Sequence, residues 1–138
     1  MKRICVILLL SLISFSCGKS DSTYVPDVAV NFSSPLSDPR LSKLNAAGGA
    51  VLISGYGVSG LVIYRNPAGT YVAYDRCSSY MPQNRCAVTL DDPSLTVTDP
   101  CSGSKFSLSD GSPVKAPATR LLKAYTVNVS NNEIYVSN

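Results

Sequence analysis

The sequence predicts an all-β domain of short antiparallel strands. Between residues 41 and 138, apolar and β-branched residues form short runs that are separated by turn residues at close spacing, the pattern of a small sandwich or barrel. No stretch there shows the apolar period of an amphipathic helix. A chain of 138 residues has room for one domain of this kind.

The expected strands follow one another along the chain with turns between them. An edge strand is predicted at residues 28–32, after a Ser-, Asp- and Pro-rich stretch with little periodicity. Asn66 to Gly69 and Ser130 to Glu133 predict hairpin turns, because Gly and Asn accept left-handed backbone angles. The other predicted strands lie at 50–53, 61–64, 71–74, 106–108, 125–129 and 134–136.

Residues 75–105 break this pattern and are rich in Cys, Ser, Pro and Asp. A long irregular stretch inside a compact domain is usually functional or cross-linked. The candidate site is therefore expected in this part of the chain.

The first sixteen residues are typical of an export signal. Lys2 and Arg3 precede an apolar run at residues 4–15, which as a helix spans only about 18 Å against a hydrocarbon core of about 30 Å. Such a segment is a signal peptide rather than a membrane span.

The signal ends in Ser16-Cys17, which resembles a bacterial lipoprotein processing site, although Ser14 stands where such sites usually have Leu. This resemblance implies that Cys17 becomes a lipidated N-terminus, which holds the protein to the bacterial cell envelope at an outer-membrane, periplasmic or surface face. Ordinary secretion is the alternative. The expected division is a signal at 1–16, a tether with a possible edge strand at 17–40, and a β domain at 41–138.

Charge and composition argue against several functions. Lys2 and Arg3 are two of 12 basic residues, so the rest of the chain has 10 basic and 9 acidic side chains. This balance predicts no nucleic-acid partner. The sequence has no histidine, and it shows no conventional triad or spaced carboxylate pair that would support an enzyme.

Three cysteines lie within the predicted domain: Cys77, Cys86 and Cys101. In an exported protein an odd number predicts one disulfide and one free thiol. The count by itself does not say which two residues pair.

The second half of the chain resembles the second loop and closing strands of a Rieske [2Fe–2S] domain. The runs GSKF at 103–106, DG at 110–111 and PA at 117–118 match the landmarks of that loop in order and spacing, and Leu122 and Tyr125 match the strands that follow. The resemblance covers about residues 41–138. It implies a Rieske-like antiparallel sandwich or barrel with two loops at one tip.

The same resemblance locates the four cluster ligands at Cys77, Ser79, Asp99 and Ser102, where a Rieske cluster needs two cysteines and two histidines. Only Cys77 keeps the required residue type, and Ser and Asp oxygens are hard ligands that suit an iron–sulfur cluster poorly. We therefore expect no cofactor and no bound metal. A [2Fe–2S] cluster with atypical ligands is the alternative.

The family also joins its two loops with a disulfide. Cys101 takes one of those positions, and the resemblance favours Cys86 over Cys77 as its partner. The function expected from the sequence is a lipid-anchored binding or accessory module, with the membrane as partner through lipid on Cys17 and a second envelope protein as a possible partner. Electron transfer is the alternative function.

Overall fold

The computed structural model describes residues 24–138. The predicted signal peptide and Cys17 lie outside this range. No helix among the described residues is long and apolar enough to span a membrane.

Within residues 24–138, ten strands form two antiparallel sheets, which confirms the all-β prediction. The first sheet has six strands in the order β1-β10-β9-β4-β3-β2, and the second has four in the order β5-β6-β7-β8. The strands are β1 Asn31–Pro35, β2 Ala50–Ile53, β3 Leu61–Arg65, β4 Tyr71–Asp75, β5 Thr89–Leu90, β6 Thr96–Thr98, β7 Lys105–Ser107, β8 Pro113–Lys115, β9 Ala124–Ser130 and β10 Glu133–Ser137.

The predicted edge strand is present but lies three residues later than expected. β1 pairs with β10 from Asn31 opposite Ser137 to Pro35 opposite Glu133, and Phe32 is buried. Residues of the predicted tether are thus part of the first sheet.

The central strand β3 is buried on both faces of the first sheet. Leu61 and Ile63 belong to a core with β1, β10 and a 3₁₀ helix, whereas Val62 and Tyr64 pack with Phe106 and residues of the second sheet. Two covered faces explain why this strand is continuously apolar rather than alternating.

The 3₁₀ helix at Pro39–Asn45 was not predicted. Asp38 caps it by accepting a hydrogen bond from the Arg40 N–H at 2.8 Å, and Leu41 and Leu44 are buried against the first sheet. The segment has only seven residues and two buried leucines, which is too short for an apolar pattern in the sequence to distinguish a helix from a loop.

Both predicted hairpin turns are present. Gly69 closes the β3–β4 turn with a φ of +88°, and Asn131 and Asn132 have φ values of 51° and 61° in the β9–β10 turn. The short strands β5, β6 and β8 were missed, because two or three residues cannot show an alternating pattern.

Tyr74 on β4 provides a test of the core in alkaline solution. Its hydroxyl donates to the Leu108 carbonyl at 3.2 Å, and burial, with a smaller effect from Asp110, raises its pKa to about 12. Because an unfolded tyrosine ionises near pH 10, the unfolded state loses its proton first as pH rises. The stabilisation that the buried Tyr74 hydroxyl contributes is therefore complete below pH 10 and is lost between pH 10 and about 12.

The expected alkaline loss from Tyr74 is about 2–3 kcal/mol. Urea unfolding at pH 8 and pH 11.5 should show a smaller pH-dependent difference in Tyr74→Phe than in the parent chain. An equal difference in both proteins would contradict the assignment to Tyr74.

Candidate functional site

The two cysteine-containing loops lie side by side at one end of the sheets. The first loop is residues 76–88, which leave β4 and return toward β5. Its two arms are joined by backbone hydrogen bonds from the Ser78 N–H to Cys86 O at 2.8 Å and from the Val88 N–H to Arg76 O at 2.7 Å. These hydrogen bonds hold the two arms of the loop next to each other.

The second loop is residues 99–104, between β6 and β7. The Asp99 N–H donates to Ser104 O and the Gly103 N–H donates to Asp99 O, both at 2.8 Å. Gly103 has a φ of +78°, a backbone conformation that favours glycine. This requirement explains the glycine of the GSKF run.

Cys86 and Cys101 lie at disulfide distance and join the two loops, with their Cα atoms 6.3 Å apart. This is the pair that the resemblance favours. Cys77 is the free cysteine of the described residues.

A buried aspartate, Asp75, anchors the base of the first loop. Its carboxylate accepts hydrogen bonds from the N–H groups of Val58 at 2.6 Å, Ser59 at 3.1 Å and Cys77 at 2.7 Å, and from the Tyr125 hydroxyl at 2.8 Å. Asp75 is 0% exposed. One carboxylate thus connects the β2–β3 turn, the first loop and β9.

The same carboxylate explains a glycine in the β2–β3 turn. A Cβ atom on Gly57 would lie 2.3 Å from Asp75 Oδ2 and 2.8 Å from the Tyr125 hydroxyl, and the residue has a φ of +63°. Gly57 therefore lets the turn approach the carboxylate closely enough for its N–H groups to donate.

The Cys77 thiol is buried inside the first loop. The residue is 0% exposed, and its Sγ lies 3.6 Å from the Pro82 carbonyl oxygen. Burial, followed by the nearby negative charge of Asp75, raises the pKa of this thiol. Because the thiolate is the reactive form, this environment disfavours nucleophilic chemistry at Cys77.

We expect Cys77 to resist iodoacetamide in the native protein and to react at once in guanidinium. Peptide mapping by mass spectrometry after native and denaturing alkylation measures this at the single site. Rapid native labelling of Cys77 would contradict the burial of its thiol.

The other three expected ligand positions also form hydrogen bonds within the protein. Ser79 Oγ donates to the Arg120 carbonyl at 2.7 Å. In the second loop, the Asp99 carboxylate accepts from the Cys101 N–H at 2.8 Å and from Ser102 Oγ at 2.7 Å. Cys77 and Ser79 therefore lie in one loop, Asp99 and Ser102 in the other.

Among residues 24–138, one group of cysteine and acidic side chains has its ligand atoms close enough together for a metal ion. It consists of Cys86, Asp99 and Cys101, whose Sγ and carboxylate oxygen atoms lie within 4.8 Å of one another. Cys77 is not in this group.

A cleft of about 200 Å³ adjoins the first loop. It is lined by Ser79, Tyr80, Met81, Pro82, Gln83, Thr119 and Arg120. Met81 is 45% exposed and has a left-handed backbone with a φ of 50°. This conformation is uncommon for a side-chain-bearing residue, and here it accompanies an apolar side chain at the surface.

Asp75 was not predicted as a site residue. The signal for it in the sequence was an acidic residue directly after the apolar run 71–74 and directly before the first loop. Nothing in the sequence indicates the donors from the β2–β3 turn and from β9, because they come from distant parts of the chain.

Solved structures show what this architecture is similar to. The chain matches the plasma membrane Rieske protein PetC3 from the cyanobacterium Synechocystis PCC 6803 at 25% identity, over 80% of this chain and 98% of that chain, with a TM-score of 0.54. The chain has a Rieske-like fold.

Two further matches have lower TM-scores. The Rieske-like chain matches a complex of oxygenase and ferredoxin in carbazole 1,9a-dioxygenase at 24% identity, over 66% of this chain and 82% of that chain, with a TM-score of 0.47. It matches the ferredoxin of carbazole 1,9a-dioxygenase from Nocardioides aromaticivorans IC177 at 19% identity, over 80% of this chain and 97% of that chain, with a TM-score of 0.49. No family model and no curated protein matches the chain.

The comparison with PetC3 corrects the expectation that this Rieske-like domain has no cofactor. The solved structure that shares the fold is a Rieske protein, and a Rieske protein is defined by a [2Fe–2S] cluster. The loss of three expected ligand types from the sequence therefore does not establish the loss of a cofactor, and that prediction was wrong.

The side chains at the four ligand positions nevertheless do not fit the Rieske ligand set. The sequence has no histidine, Ser79 donates to a backbone carbonyl, and Asp99 and Ser102 bond to each other. Of the four positions, only Cys77 thus has a side chain of the kind that binds the irons of a Rieske cluster.

Proposed function

We propose that this chain is a lipid-anchored protein of the bacterial cell envelope whose Rieske-like domain acts as a binding or accessory module. The observation that carries the proposal is the cleft beside the first loop, with Met81 exposed at its edge. Methionine is enriched at the centres of protein interfaces. Its flexible side chain adapts to different partners.

The size of the cleft indicates the kind of ligand. Pockets for small molecules and cofactors are typically about 300–1,000 Å³, and this cleft is about 200 Å³. It suits one side chain of a protein partner better than a whole small molecule. Its lining includes apolar residues such as Met81 and Pro82 and polar residues such as Gln83, so the entering side chain meets both apolar and polar groups.

The anchoring part of the proposal rests on the Ser16-Cys17 site. Expression of the full chain in a bacterium with labelled palmitate should label the parent protein. Cys17→Ala should remove the label and release the protein from the membrane fraction. Membrane retention of unlabelled Cys17→Ala would contradict lipid anchoring through this residue.

The binding part is tested by a photo-cross-linking amino acid placed at Met81. We expect a discrete cross-linked product in intact cells. The same amino acid at Val129, which is 44% exposed on β9, is the matched control and should give none. Equal cross-linking from both positions would contradict a binding surface at the cleft.

Electron transfer is the second candidate, and the fold shared with a Rieske protein favours it. Iron, acid-labile sulfide and the visible absorption spectrum of the anaerobically purified chain distinguish the two functions. Iron and sulfide in amounts that match the protein would establish electron transfer through atypical ligands. It would overturn the accessory role.

A further inference from the structure

A carboxylate lies beside two sulfur atoms where the loops meet. The ligand atoms of Cys86, Asp99 and Cys101 lie within 4.8 Å of one another. Asp99 is 1% exposed, although aspartate is rarely buried without a charged partner. Of the ion pairs described within residues 24–138, none includes Asp99.

The hydrogen bonds of the two buried aspartates differ in number. The Asp75 carboxylate accepts from four donors, which fills the roughly four acceptor positions of a carboxylate. The Asp99 carboxylate accepts from two, the Cys101 N–H and Ser102 Oγ. Asp99 therefore keeps acceptor capacity on a buried carboxyl group next to the sulfurs.

We propose that reduction of the Cys86–Cys101 pair creates a zinc site formed by the two thiolates and the Asp99 carboxylate. This site is separate from the cleft, and it uses only one of the four former Rieske ligand positions. Ser102 is not a ligand in this site. It donates to Asp99 Oδ2 and so orients the carboxylate that binds the metal.

The redox step balances with a dithiol as reductant. Two electrons pass from the dithiol to the disulfide, so the sulfur–sulfur bond breaks, the dithiol closes to its own disulfide, and its two protons go to the new Cys86 and Cys101 thiols. Each thiol then releases its proton to solvent as it binds Zn²⁺. Cys101 is exposed and Cys86 is partly exposed, so a reductant can reach the pair from solvent.

Ligand chemistry favours zinc over calcium or magnesium. Thiolates suit zinc, whereas calcium and magnesium take oxygen ligands. Two sulfurs and one carboxylate oxygen fill three of four tetrahedral positions, which leaves the fourth for water. Free Cys77 cannot substitute for either thiol without leaving its buried place in the first loop.

The test measures Zn²⁺ binding by the purified full chain in detergent, in competition with a chromophoric chelator. One sample keeps its disulfide; the other is reduced with a phosphine, which is then removed without air. We expect one Zn²⁺ per reduced chain and none at this site in the oxidised chain. Reduced chain without Zn²⁺ would overturn the proposal, as would equal binding in both samples.

Three variants assign the ligands. Cys86→Ser should lose the reduction-dependent binding. Asp99→Asn should bind Zn²⁺ at least about tenfold more weakly, because replacing even a residue that only contacts a metal ligand lowers metal affinity by about that factor. Cys77→Ala is the matched control and should bind like the parent chain. Unchanged binding by Asp99→Asn, or lost binding by Cys77→Ala, would contradict the assigned ligands.

A measurement on the parent chain avoids dependence on variants that fold poorly. Co²⁺ added to the reduced chain should give the near-ultraviolet charge-transfer absorption of thiolate ligands, which Zn²⁺ should abolish by displacement. Circular dichroism of the reduced chain should remain native. A chain that unfolds on reduction would overturn the proposal, because the site requires Asp99 in its folded position.

Discussion

Replacing Asp75 by alanine is expected to lower the free energy of unfolding by about 4 kcal/mol, because two buried and two partly buried donors lose their acceptor, at about 1–3 kcal/mol for each buried one. Three of those donors are backbone N–H groups, which cannot turn away to find another partner. Urea or thermal unfolding of the variant measures the loss. The first loop should also become more susceptible to proteases, since the Cys77 N–H is one of the four donors.

Two further variants separate the carboxylate from a general effect of mutation. Tyr125→Phe removes one of the four hydrogen bonds and should cost about 1 kcal/mol. Asp92→Ala changes an exposed aspartate and should alter stability by no more than about 0.5 kcal/mol. Equal losses in Asp75→Ala and Asp92→Ala would contradict the anchoring role.

Replacing Cys101 by serine is expected to cost about 3 kcal/mol, because the cross-link that it forms closes a loop with a sequence separation of 15 residues. The corresponding fall in Tm is about 10 °C or more. Calorimetry of the parent and variant chains under non-reducing conditions measures it.

The controls use the same pair. Cys86→Ser should lose the same stability, and the double variant Cys86→Ser with Cys101→Ser should lose no more than either single variant, because one cross-link is removed in all three. An unchanged Tm in Cys101→Ser would show that the loops do not depend on this link.

The sequence was sufficient for the longer strands and their turns. Period-two patterns and Asn or Gly turns act over a few neighbouring residues, so β4, β9 and β10 could be placed almost to the residue. Even the doubly buried β3 was predicted, because a short, continuous apolar run between turn residues is typical of a buried strand.

The site could be predicted only in part. Cys86, Asp99 and Cys101 lie in segments that the sequence marked as irregular, but their approach depends on how the loop that connects the two sheets meets a loop of the second sheet. Asp75 is a similar case, since its donors at Val58, Ser59 and Tyr125 are brought to it by the sheet. Local patterns do not encode such distances.

The strand directions indicate where the chain enters the domain. β4 ends at Asp75, at the base of the first loop, and Tyr74 lies opposite Ala124 at the start of β9. Ser137 lies near that end of β10, opposite Asn31 at the start of β1. The first described residues therefore reach the sheet at the same end as the two loops.

Side chains hold the entering segment there. The Lys123 Nζ atom bonds to the Asp27 carboxylate at 2.6 Å, and the Arg120 guanidinium lies 6.0 Å from the centre of the Tyr24 ring. The seven peptide links between Cys17 and Tyr24 can span at most about 25 Å. With the lipid on Cys17 that we propose, this length would keep the loop end of the domain, and the cleft with it, within about 25 Å of the bilayer surface.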